Sequence, residues 1–302
     1  MITPPGGGHI WNIFCPLNGM FSMHSSCNRL LKASSILVAA AIAGCSVSED
    51  QEVALGDQTA QEISAQLPIV RDPYVAGYIR ELGDTIAKLT TRRDLDWQFY
   101  VVNSHQVNAF ALPGGHVYVN RGLIEATDQM YELAGVLGHE IGHVIQRHSV
   151  KQMQNQQKLG VVATLACTLT DICNNEVGQA AINIGGTAVI ARHSRQDEFE
   201  ADSEAVENVL RAKIDPEGIP ALFEVLMDQR RSRPTIFDGW FASHPLEETR
   251  VQNSRALIEA TGAGQMGGLL QDIPSYREFR RRVAMLPEPP PPPRRPYPDG
   301  SR

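Results

Sequence analysis

The sequence predicts an α+β fold, mainly α, in which a small β-sheet precedes a buried helix. Apolar residues recur at spacings of three and four in both halves of the 302-residue chain, which is typical of amphipathic helices. Three short strand-like runs lie between residues 97 and 120. With 42% apolar and 20% charged residues, the composition is that of a globular protein.

The elements before the buried helix follow in a simple order. Two helices are predicted in "ALGDQTAQEISAQL" (54–67) and "DPYVAGYIRELGDTIAKL" (72–89). Three strands are predicted in "WQFYVVN" (97–103), "NAFAL" (108–112) and "HVYVN" (116–120). The "PGG" between the last two strands indicates a tight turn. Further helices are expected from Ser194 onward.

The N-terminus has the layout of a secretory signal. Arg29 and Lys32 precede the apolar run "ASSILVAAAIAGC", which is too short to span a bilayer. Its ending resembles a bacterial lipobox, in which the cysteine, here Cys45, becomes the lipidated first residue of the mature protein. The alternatives are an uncleaved anchor or a plain secretory signal.

Three regions are therefore predicted along the chain. They are a signal segment at 1–44, a folded domain at 45–286 and a proline-rich tail at 287–302. The tail sequence "PEPPPPPRRPYP" favours an extended polyproline II conformation outside the fold. Export to an oxidising compartment would also let Cys167 and Cys173 form a disulfide, the alternative being two free thiols.

The segment "LGHEIGHVIQRHS" predicts half of a metal site. His139 and His143 are four residues apart, so on a helix both project from one face and can bind one zinc ion. Glu140 lies on the neighbouring face, where it can take a proton from water activated by the metal. His148 is five residues past His143, about 140° around a straight helix, so we expect it to be exposed or to support a ligand.

A carboxylate from a second helix completes the predicted site. In "SRQDEFEADSEAVENVLRAK", a helical wheel places Glu198 and Asp202 inside an apolar stripe together with Phe199, while the remaining glutamates face solvent. Buried carboxylates need a cation or donors, so Glu198 is the predicted third ligand and Asp202 the residue that orients a histidine. The alternative is a buried salt bridge to Arg192 or Arg195.

At these residues the sequence resembles a known family. "HEIGH" followed by "SRQDEFEAD" is similar to the HtpX, BepA and CAAX prenyl protease family of zinc metallopeptidases, which are gluzincins, and to its lipoprotein branch. The resemblance implies a gluzincin-type domain that holds one Zn²⁺ per chain and hydrolyses peptide bonds. It also implies a role in quality control of envelope proteins.

The same resemblance implies further site residues. "NAFALPGGHVYVNRGLI" is similar to the family's strand and turn ahead of the active helix, which makes Asn108, Ala109 and Phe110 candidates for pairing with an extended substrate. Their alternative is ordinary sheet packing. In "FASHPLEETR", His244 is expected to be a fourth ligand at rest or to stabilise the oxyanion, and Arg250 to hold this loop or bind substrate.

The function predicted from these features is that of a membrane-tethered zinc metalloendopeptidase whose substrates are unfolded or misfolded envelope proteins. Lipidated Cys45 would attach it to a bacterial membrane, and the absence of Asp in the two residues after Cys45 favours the outer membrane, facing the periplasm. A net charge of −7 without a basic stripe excludes nucleic acid as an expected partner. The alternative function is a periplasmic chaperone or binding protein with a latent peptidase site.

Overall fold

The computed structural model describes residues 47–156, 193–232, 240, 243–244 and 248–289, all within one structural unit of the chain. Several predictions therefore lie outside the described residues. They are the signal segment 1–44, lipidation of Cys45, the disulfide between Cys167 and Cys173, and the tail from residue 290 onward. The proposed domain boundaries also stay predictions.

Two N-terminal helices precede the sheet, as the periodicity predicts. Helix α1 spans Glu49–Gln66, and Ser48 at its N-cap forms a reciprocal capping box with Gln51. Helix α2 spans Pro73–Ala87, and the Asp72 side chain accepts hydrogen bonds from the first free backbone N–H groups.

The sheet has three strands in the order β1-β3-β2. Strands β1 (Gln98–Val102) and β3 (His116–Asn120) are parallel, and β2 (Ala109–Leu112) pairs antiparallel with β3. The turn Pro113–Gly115 joins β2 to β3, with Gly114 and Gly115 at φ 79° and 102°, which favour glycine. Strand β2 therefore lies at an edge of this sheet.

The central helix α4 (Met130–Ile145) is buried along nearly its whole length. It packs against α5 (Arg195–Arg211), which begins with a reciprocal capping box between Ser194 and Asp197. Small residues let these helices approach closely, since a Cβ built on Gly142 would lie 2.8 Å from the Ala201 carbonyl oxygen. This close packing brings the acidic side chains of α5 to the histidines of α4.

The remaining helices complete the core around this pair. In the last helix, α8 (Pro274–Ala284), the Tyr276, Phe279 and Val283 side chains are fully buried, whereas Arg281 is exposed. Among the described residues, no helix is both long enough and apolar enough to cross a membrane. The predicted mainly helical α+β fold is confirmed. The remaining helices are α3 (Arg121–Ala126), α6 (Gly218–Ser232), α7 (Glu248–Thr261) and α8 (Pro274–Ala284).

The close approach of α4 and α5 can be tested with two glycines. Gly142→Ala should lower the free energy of unfolding by about 1–3 kcal/mol, because the new methyl group meets the backbone of α5. Gly77→Ala in α2 is the matched control: nothing lies within 4 Å of its added Cβ, and alanine should stabilise that helix by about 0.5–1 kcal/mol. Urea denaturation measures both, and equal effects of the two substitutions would contradict the packing.

Candidate metal centre

Four side chains converge at the contact between α4 and α5. His139 and His143 come from successive turns of α4, Glu198 from the first turn of α5, and His244 from the segment before α7. One ligand atom from each lies within 4.8 Å of all the others, and each residue is at most 3% exposed. The sequence reasoning had named all four, and the fold brings them together.

The distances show where these atoms point. The two Nε2 atoms of His139 and His143 are 3.0 Å apart, and His143 Nε2 lies 3.5 Å from Glu198 Oε1. His244 Nδ1 lies 3.1 Å from the same Glu198 oxygen and 3.3 Å from His139 Nε2. Imidazole nitrogens and a carboxylate oxygen therefore face one common point.

Asp202 determines which nitrogen of His139 faces that point. Its Oδ1 lies 2.8 Å from His139 Nδ1. Burial opposes ionisation of Asp202, but Arg250 and His139 outweigh it and lower the pKa of the carboxyl group below its ordinary value. Because an ionised carboxylate only accepts hydrogen bonds, His139 donates from Nδ1 and keeps the lone pair of Nε2 for a metal.

Arg250 compensates the two acidic residues of α5. Its guanidinium donates to Asp202 from Nε at 2.9 Å and from Nη2 at 2.7 Å, and Nη1 lies 2.5 Å from Glu198 Oε2. The group is only 6% exposed and stacks over the Phe223 ring. Arg250 thus binds both carboxylates directly, whereas Arg192 of the salt-bridge alternative lies outside the described residues.

The ionisation of the ligands suits a cation. Burial raises the pKa of Glu198 by itself, but His244 and His143 outweigh it, so that the pKa is lowered and the carboxylate stays charged. Burial lowers the pKa of His143 well below its ordinary value, so its imidazole stays neutral. Neutral imidazole and ionised carboxylate are the forms that bind zinc.

Glu140 lies beside the four ligand atoms without being one of them. Its carboxylate faces the backbone N–H of Ala111 in β2, and its Oε1 lies 3.5 Å from His244 Nε2. This buried Oε1 has no hydrogen-bond partner among the described residues. Burial raises the pKa of Glu140, although His244 and His139 oppose the shift. A carboxylate with a raised pKa is suited to accept a proton and release it again.

The donor set fits zinc. Lone pairs from His139 and His143 and an anionic oxygen from Glu198 would repel one another across a dry centre unless a cation lay between them. Nitrogen and carboxylate oxygen ligands in this number are those of catalytic zinc sites. The fit thus follows from the chemistry of the side chains present and from the burial of Glu140 beside them.

Some details around the centre differ from the sequence predictions. Phe199 is 41% exposed and not part of the buried face of α5, and Glu200 does not face only solvent, since it contacts His148. Two further aromatic contacts surround the centre: His193 stacks on the His143 ring at 3.9 Å, and Trp240 stacks on His244 at 4.5 Å. No periodic pattern surrounds His193 or Trp240, so the sequence carried no signal for these contacts.

The residues expected on the substrate strand lie at the edge of the sheet. Phe110 stacks on Tyr118 at 4.8 Å, and Ala109 is fully buried. The side-chain oxygen of Asn108 is also buried, without a hydrogen-bond partner among the described residues. The backbone carbonyl of Asn108 accepts a hydrogen bond from the Asn120 N–H. In this antiparallel register, every second residue of the strand, at 108, 110 and 112, therefore forms the backbone hydrogen bonds to β3. Ala109 and Ala111 therefore direct their backbone groups away from β3, toward the side where Glu140 lies.

Two histidines on one helix, a glutamate on the next and a second glutamate beside them define a zinc metallopeptidase. Residues 73–258 match the sequence profile of Peptidase family M48, and the chain belongs to this family. The predicted family, the peptidase class and zinc as its metal are thereby confirmed.

Similar proteins of this family include two named Beta-barrel assembly-enhancing protease. The protein from Yersinia pestis is 33% identical over 79% of this chain and 50% of its own length, and that from Escherichia coli K12 is 32% identical over 70% and 45%. The Metalloprotease LoiP of Escherichia coli K12 is 28% identical over 72% of this chain and 84% of its own. The chain thus spans about half the length of the first two relatives.

Charge compensation by Arg250 makes a measurable prediction. In metal-free protein, Arg250→Met should lower the free energy of unfolding by about 3–5 kcal/mol, because Asp202 and Glu198 would be left buried without their cation. Arg211→Met is the control on the exposed side of α5, where its pair with Glu207 should contribute less than about 1 kcal/mol. Calorimetric melting after chelation compares the two, and a similar loss in both would refute the assigned role.

Proposed function

We propose that this protein is an endopeptidase of the bacterial envelope that hydrolyses unfolded or misfolded envelope proteins. The observation that carries the proposal is the convergence of His139, His143 and Glu198 with Glu140 beside them. The relatives from Yersinia pestis and Escherichia coli named Beta-barrel assembly-enhancing protease support a role connected with the assembly of β-barrel proteins. Attachment to the outer membrane through lipidated Cys45 belongs to the same proposal.

Each residue has a proposed task in hydrolysis. His139, His143 and Glu198 would hold zinc, which supplies Lewis acidity that polarises a peptide carbonyl and makes water nucleophilic near neutral pH. Glu140 takes a proton from the attacking water and later passes it to the leaving amine. Asp202 keeps the His139 ring in position, and Arg250 keeps Asp202 ionised.

The edge strand would align the substrate. Because Ala111 directs its backbone groups away from β3 and is only partly buried, whereas Ala109 is fully buried, an extended peptide would add to β2 as a further antiparallel strand at Ala111. The Ala111 N–H faces Glu140, so a chain along this edge would pass beside the general base. Backbone pairing of this kind accepts many sequences, which suits a protease that acts on unfolded chains.

His244 is proposed to hold the site closed. It lies among the ligand atoms, 3.1 Å from Glu198, and next to Glu140. As a fourth ligand, this imidazole would occupy the position that water and substrate need. The same arrangement favours the second candidate function, a chaperone or binding protein with a latent peptidase.

The role of Glu140 is tested by Glu140→Gln. Proteolysis of an unfolded casein should fall about 10²–10⁴-fold, because the amide cannot accept the proton, while the zinc content should stay the same. Glu207→Gln on the exposed face of α5 is the matched control. Equal proteolysis by wild type and Glu140→Gln would refute the mechanism, and retained suppression of casein aggregation by both would favour the chaperone function.

The closing role of His244 makes a separate prediction. His244→Ala should hydrolyse casein faster than wild type, because one ligand position becomes free for water. Ser243→Ala, which changes the neighbouring buried side chain, should leave the rate unchanged. Initial rates at equal zinc content provide the comparison, and an unchanged rate in His244→Ala would be incompatible with the proposed role.

A further inference from the structure

His148 contacts a metal-binding residue from outside the metal centre. Helix α4 ends at Ile145, and Arg147 adopts a left-handed conformation with φ 55°, so the chain turns before residues 148–156 become helical. His148 is 2% exposed, and its Nδ1 lies 2.8 Å from His143 Nδ1. The straight-helix geometry that directs His148 away from His143 does not apply, because the helix ends between them.

The contact between two ring nitrogens requires one donor and one acceptor. The other nitrogen of His148, Nε2, lies 3.2 Å from Glu200 Oε2 and 3.6 Å from Asp197 Oδ1. Carboxylates only accept, so the proton of the His148 ring resides on Nε2 and its Nδ1 is the acceptor. His143 therefore donates from Nδ1, and its Nε2 keeps the lone pair that faces Glu198.

We propose that His148, supported by Glu200, is a positioning residue that selects the zinc-binding tautomer of His143. The inference rests on the metal centre of the proposed function, but it does not depend on the substrate. The two histidine ligands are then oriented in different ways: a carboxylate accepts from His139, whereas a neutral imidazole supported by a carboxylate accepts from His143. Partners of this kind fix both the tautomer and the direction of a metal-binding ring.

The turn that carries His148 is itself held in place. Arg147 donates from Nε to Glu52 Oε2 at 2.6 Å and from Nη2 to the Val47 carbonyl oxygen at 2.8 Å. Glu52 is fully buried and belongs to α1. These bonds stabilise the left-handed residue from which the chain returns toward His143.

Zinc affinity is the first measurement. His148→Leu, which fills a similar volume without an acceptor, should weaken zinc binding about 10–100-fold in competition with a chelating dye. The zinc affinity of His148→Asn should stay close to that of wild type, because the amide oxygen can replace Nδ1 as the acceptor for the His143 N–H. His105→Asn, at an exposed histidine with carboxylate partners of its own, is the control. Wild-type affinity in His148→Leu overturns the proposal.

The tautomer is the second measurement, and it separates positioning from a general structural role. In metal-free protein, ¹⁵N chemical shifts should show the His143 proton on Nδ1 in wild type and in His148→Asn. The same shifts should show loss of this preference in His148→Leu. An unchanged Nδ1–H tautomer in His148→Leu overturns the proposal. Neither readout uses proteolysis, so an inactive protein that binds zinc tightly would contradict only the proposed function.

A third variant covers the case in which His148→Leu does not fold. Glu200 is about one third exposed at its side chain, so Glu200→Leu leaves the buried ring in place and removes only its supporting carboxylate. Zinc affinity should again fall in Glu200→Leu, whereas Glu207→Leu on the exposed face should not change it. Equal affinity in these two variants overturns the assigned role of Glu200.

Discussion

The structure depends on the compensation of two buried carboxylates by one guanidinium. Burying an ionised carboxylate without a partner costs several kcal/mol, and such a group takes up a proton instead. Arg250 contacts both Asp202 and Glu198, and His244 and His143 also lie beside Glu198, so both carboxylates stay ionised in an apolar core. Because Asp202 is ionised, His139 is fixed in one tautomer, and because Glu198 is ionised, the centre carries the negative charge that a cation requires.

This charge network can exist only because two helices pack unusually closely. Gly138 and Gly142 face α5 from the helix that carries the histidines, where larger side chains would meet Ala201 and Ala205. The distance between the helices sets the distance between the histidines and the carboxylates. The glycines that permit this close packing therefore also serve the metal centre.

The end of the histidine helix is held by residues far away in the sequence. Arg92 donates to Glu52 of α1 at 2.7 Å and to the carbonyl oxygen of Val144 at 2.9 Å. This carbonyl near the end of α4 also accepts a hydrogen bond from the Arg147 N–H. Glu52 also binds Arg147. The first helix, α1, is thereby connected to the turn between His143 and His148. Through these contacts it helps to hold both histidines in their positions at the metal centre.

The sequence by itself determined the elements and the chemical types of the site. Periodic apolar residues predicted helices α1, α2 and α5, and the spacing of His139 and His143 required a shared helical face, because these signals are local. Only the tertiary structure decided the partners of the site residues: Arg250 for the carboxylates, His148 for His143, and the exposure of Phe199. These contacts join residues whose spacing follows no helical or strand period, and they depend on how closely the helices pack and where α4 ends, which no local pattern encodes.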